Sequence, residues 1–149
     1  MSKYGLLIIS STPDRETLEA LLLPYRDPTT YRDELPDTGK PATWDYWVLG
    51  GMDWARMLAV RPGGQFKVNE GATDIEDRPD GADQARVGDL DRAVMHRAKF
   101  FVFAVLAADG EWHEWDSRTE TAEAWSERVF ALLDAADPDH WASVALCHS

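Results

Sequence analysis

The chain has 149 residues, 44% hydrophobic and 28% charged, which places it among ordinary globular proteins and not among disordered ones. Its 27 acids against 15 bases leave a net charge of −12, and such a surface repels nucleic acid and anionic lipid. The length suits a single globular domain over residues 1–149 with a real hydrophobic core.

The charge is uneven. Residues 74–92 hold seven acids and three bases, and residues 109–139 hold ten acids and two bases. The lone Cys147 allows no internal disulfide, which fits a reducing compartment. The first apolar run, Gly5 to Ile9, is too short for a signal peptide or a membrane span. The expectation is a soluble, cytoplasmic protein without a cofactor.

Tyr4 to Ser10 reads as a buried strand because Leu6-Leu7-Ile8-Ile9 is continuously apolar. Thr12-Pro13-Asp14 predicts a helix start with Thr12 as the cap, and Leu18, Leu21, Leu22 and Tyr25 recur at helical spacing until the prolines. Residues 26–43 read as a long polar loop.

Residues 44–56, WDYWVLGGMDWAR, hold three of the seven tryptophans. Alternation over 44–49 would put Trp44, Tyr46 and Val48 on one face and Asp45, Trp47 and Leu49 on the other. Both faces then carry large apolar groups, so a central strand is expected. Gly50 and Gly51 break it, and Met57 to Val60 is its expected partner strand. Residues 65–88 read as irregular, with a solvated acidic loop that lacks the spacing of a calcium loop.

Asp89-Leu90-Asp91 predicts the cap of a short helix over 90–98. Phe100 to Ala107 reads as a strong strand, Asp109-Gly110 as a hairpin turn, and Glu111 to Asp116 as a half-exposed returning strand. Ser117 and Glu120 form the pattern of a capping box, opening a helix whose inner face is Ala122, Trp125, Val129, Leu132 and Ala136. Trp141 to Leu146 is the last strand. This order predicts an α+β fold: a mostly antiparallel sheet of about six strands, with two longer helices and one short helix on one face. A ferredoxin-like arrangement is one topology compatible with it.

Three segments of the chain resemble a family of small, uncharacterised proteins of bacteriophages and actinobacteria. Trp44 to Trp54 is similar to its W-D-W-Y-x-I-G-G-R-W hallmark. The others are Asp83 to Asp91, and Phe103 to Leu106 continued by Asp109 to Glu114; the terminal Leu146-Cys147-His148 is similar as well. The resemblance covers residue 44 to the end and assigns no activity. It implies a phage setting, in which small proteins act against host defences by binding a defence protein or capturing its signalling nucleotide. Here Met52-Asp53 follows Gly-Gly where the family has arginine, so an anion-gripping role would pass to Arg56.

No phosphate loop, nucleophile elbow or close histidine metal motif occurs. Cys147 and His148 fall on opposite faces of a strand and form no nucleophile–base pair as neighbours. Three hypotheses follow. An acidic, non-enzymatic inhibitor would meet a basic groove of a host defence or nucleic-acid-binding protein through Asp74, Glu76, Asp77, Asp80, Asp83, Glu111, Glu114 and Asp116. A sponge for a nucleotide-derived signal would stack it on Trp44, Tyr46, Trp47 and Trp54, approach it closely at Gly50 and Gly51, and hold phosphate with Arg56 and Arg86. A metal-dependent hydrolase would need His113 and His148 to meet across paired strands. The acidic inhibitor ranks first because charge is a property of the whole chain.

Overall fold

A computed structural model describes residues 3–26, 44, 46–50, 58–67 and 81–148. The elements in order are β1 (Lys3–Ser10), α1 (Arg15–Leu22), β2 (Tyr46–Leu49), β3 (Leu58–Ala59), β4 (Phe66–Lys67), β5 (Gly81–Ala82), β6 (Gln84–Arg86), α2 (Arg92–Arg97), β7 (Ala104–Leu106), β8 (Trp112–Glu114), α3 (Ala122–Ala135) and β9 (Trp141–His148). The fold is α+β. A seven-stranded mixed sheet runs β4-β6-β9-β1-β7-β8, with β2 also paired to β9, and β3 with β5 forms a separate pair. Only β1 and β7 run parallel; the other described pairs are antiparallel.

The sheet is covered on both sides, because its central strands carry apolar residues on both faces. Leu7, Ile9, Val105, Ala142 and Val144 pack with Met95 of α2 and with Trp125, Val129, Phe130 and Leu133 of α3. Leu6, Ile8, Ala104, Leu106, Ala145 and Cys147 face the other way and pack with Leu18 and Leu22 of α1. The expectation of helices on one face is therefore corrected. The unbroken run Leu6–Ile9 already requires a cover on each side, since adjacent residues point to opposite faces.

The tryptophan-rich segment is not the middle of the sheet. Among the described residues β2 pairs with β9 alone, and Val48 is 43% exposed. The central strand is β9, flanked along its full length by β1 and on its other edge by β2 and β6 in succession. These two short strands are collinear and meet at Val144. The Gly50 N–H donates to the Val144 carbonyl at 2.8 Å, and the Val144 N–H donates to the Asp83 carbonyl at 2.9 Å. One β9 edge is thus completed by two pieces of chain separated by more than thirty residues of sequence.

Other boundaries shift for local reasons. Asp14, not Thr12, is the N-cap of α1; the Thr12 hydroxyl instead shares a 2.8 Å hydrogen bond with the Thr17 hydroxyl. Thr121, not Ser117, caps α3, accepting from the Ala124 N–H at 3.1 Å. Asp116 organises residues 116–120 as a turn, its carboxylate accepting from the Arg118 N–H, so the Ser117/Glu120 box is not used. Asp91 caps α2 as expected, accepting from the Val94 N–H at 3.1 Å. β3 pairs with β5 and not with β2, and β4, β5 and β6 occupy parts of the stretch read as irregular. The β7–β8 hairpin turns at Gly110, whose φ is +88°.

Candidate partner-binding surface

Trp44 and Trp47 come together, on the α1 side of the sheet. Both are buried, in one cluster with Leu18, Leu22 and Tyr25. They were expected on opposite faces of one strand, but Trp44 precedes β2 and forms an isolated bridge to Arg26, just past the 3-10 turn Leu23–Tyr25 that follows α1. Its indole N–H donates to the Leu22 carbonyl at 2.9 Å. Each ring is also covered by a cation: the Arg26 guanidinium lies 5.5 Å from the Trp44 ring, and that of Arg15 lies 4.6 Å from the Trp47 ring. The faces a planar ligand would stack on are occupied by protein.

Gly50 is needed for close approach, but the neighbour is a side chain of the same protein. Its φ is +70°, and a Cβ added there would lie 2.8 Å from the Asp83 carboxylate. Asp83 itself is only 3% exposed. It was expected on the docking surface; it lies inside because its backbone shares Val144 with Gly50, which turns its side chain inward. Arg86 pairs with Asp139 and sits opposite Trp141, whereas Trp47 sits opposite Cys147. Six positions of β9 separate them, about 20 Å at the rise of a strand, so Arg86 does not join the tryptophans in one pocket. Tyr46 is placed by its backbone, opposite His148. Gly51, Trp54, Arg56, Asp74, Glu76, Asp77 and Asp80 lie outside the described residues.

The acids of the C-terminal half divide into two groups. Asp139, Asp134, Asp116 and Glu120 are met by Arg86, Arg92, Arg118 and Arg128 respectively. Asp137 lies 3.9 Å from His140. The Arg118 side chain donates to Asp116, which holds that exposed carboxyl below its usual range. Asp109, Glu111, Glu114, Glu123 and Glu127 are all exposed, and among the described residues no ion pair reaches any of them.

These five fall on two elements of the C-terminal half. Asp109, Glu111 and Glu114 belong to the β7–β8 hairpin at the end of the sheet. Glu123 and Glu127 lie on the first half of α3, which is anchored beside β7 by the Trp125 indole donating to the Val102 carbonyl at 2.7 Å. Glu123 and Glu127 were not singled out from the sequence. Their four-residue spacing on the face opposite Trp125 and Val129 was the available signal.

The histidines proposed for a metal do not meet. His113 pairs with Val105 of β7, and His148 pairs with Lys3 of β1, so β7 and β1 lie between β8 and β9. Cys147 is fully buried beside Tyr4, and burial pushes its thiol up to about 12. No helix of the described residues is long and apolar enough to cross a membrane. Comparison with family models, with curated proteins and with solved structures returns no match, so the placement of these side chains carries the functional argument.

Proposed function

We propose that this protein is a non-catalytic binding protein that docks its acidic C-terminal half onto a basic surface of a protein partner. The observation that carries the reading is the set of five exposed carboxylates, Asp109, Glu111, Glu114, Glu123 and Glu127, that no cation among the described residues meets. Asp116, Glu120, Asp134 and Asp139 of the same half are paired with arginine, so their charge is spent within the fold. Exposed charges without a counter-ion in the fold steer association and select a partner of opposite sign. The resemblance to phage proteins points the same way, toward a host defence or nucleic-acid-binding protein as that partner.

Capture of a nucleotide draws less support, because Trp44 and Trp47 are buried and already covered by Arg26 and Arg15. A hydrolase built on His113 and His148 draws least, because two strands separate them.

The test is biosensor binding to a panel of basic nucleic-acid-binding proteins at low and high salt. At least one should bind, weaken with salt, and lose about tenfold or more in affinity when Glu111, Glu114, Glu123 and Glu127 are all changed to Gln. No binding by any panel member, or binding indifferent to both salt and the four substitutions, overturns the reading.

A further inference from the structure

We infer that the open edge of β8 receives an extended, lysine- and arginine-rich segment of the partner as an added antiparallel or parallel strand. This inference rests on the acidic docking reading and says how the docking is made.

The backbone supplies the first part. β8 is the terminal strand of the sheet. Its register on β7 pairs Ala104 with Glu114, Val105 with His113 and Leu106 with Trp112. The flanking bonds run from the Ala107 N–H to the Glu111 carbonyl and from the Trp115 N–H to the Phe103 carbonyl. In an antiparallel ladder, hydrogen-bonded and non-bonded positions alternate. Residues 111, 113 and 115 therefore turn their backbone groups toward β7, and Trp112 and Glu114 turn theirs outward. Among the described residues no strand pairs with that outer edge. Unpaired edge groups are a template for another chain.

The side chains supply the second part, which is the partner's chemistry. Trp112 packs on the α1 side of the sheet. Alternation puts Glu114 on that side, and its carboxylate accepts from the Trp112 indole at 3.1 Å. Glu111 falls on the opposite side, toward α3. An added strand would thus meet exposed, unpaired carboxylates from both faces of the sheet, with Asp109 at the turn beside them. Its alternate side chains also point to both faces, so cations at successive positions would each find an acid. A neutral or acidic strand would leave Glu111 and Glu114 uncompensated, which selects a basic segment.

The experiment uses the whole protein and a ten-residue peptide in which Lys-Arg pairs alternate with Val-Thr pairs, so that both faces carry cations, followed by fluorescence anisotropy and by amide hydrogen exchange. The expected result is binding that slows exchange at the Trp112 and Glu114 amides, whose N–H groups point outward. Glu114→Pro removes one outward donor without breaking a bond to β7, and proline is tolerated on an edge strand. It should weaken binding well beyond Glu114→Gln, which removes only the charge.

Peptide binding without slowed exchange at those two amides overturns the strand-addition inference and leaves the acidic docking reading standing. Equal loss in the two variants does the same. No binding of the peptide also overturns the inference, and the biosensor panel then decides the broader reading separately. Should Glu114→Pro fail to fold, exchange on the unmodified protein still decides.

Discussion

Gly50 and Gly110 show how differently two glycines of positive φ can be constrained. Gly110 turns the β7–β8 hairpin with open space where a Cβ would sit, whereas a Cβ on Gly50 meets the buried Asp83 carboxylate. Gly50→Ala combines a strained φ with a clash at the junction of β2 and β6, and should destabilise by about 2–3 kcal/mol in urea unfolding. Gly110→Ala carries the backbone strain alone and should cost about 1 kcal/mol. Equal losses would mean that the Asp83 contact is relieved at no cost.

Cys147 gives a second prediction at the same scale. Its thiol is raised to about 12 by burial, with a Tyr4 hydrogen bond acting weakly the other way. In the unfolded chain a thiol ionises near 8.5. Between those values the native state holds a proton that the unfolded state has lost, so stability is full below the unfolded value and falls as pH rises through this window. A thiol-specific reagent at mildly alkaline pH should leave the native protein unmodified and react fully in denaturant. Rapid native labelling would show that Cys147 is accessible.

At the scale of elements, α3 tests how a helix start is chosen. Thr121 makes the capping bond, so Thr121→Ala should cost about 1 kcal/mol and Ser117→Ala almost nothing. Thermal denaturation of the two variants decides between the caps. The inner face of α3 carries more weight. Trp125 is fully buried and its indole N–H is bonded to the Val102 carbonyl. Trp125→Ala removes both the ring and the bond, and should cost about 3–5 kcal/mol in urea unfolding, a large fraction of the stability of an ordinary domain.

Across the whole molecule, the net charge of −12 works against compactness as well as for recognition. Moderate salt should raise the melting temperature while it weakens partner binding, because screening relieves self-repulsion and also weakens the attraction of the exposed carboxylates. The four-fold Gln variant should melt at or above the temperature of the unmodified protein. A lower melting temperature would mean that one of those carboxylates holds the fold together.

The sequence by itself determined which segments could be strands and helices. Leu6–Ile9, the Asp109-Gly110 turn and the Trp125/Val129 stripe carry periodicities that local backbone geometry reads directly. The excess of acid in residues 109–139 was equally legible. Only the tertiary structure decided which strand is central, because β9 wins that place through pairing with β1, β2 and β6, contacts distant in sequence. It also decided which acids are free: arginines at 86 and 92 reach Asp139 and Asp134 only once the sheet and α3 have packed. Charge can be counted along a chain, but its compensation depends on distances that folding alone sets.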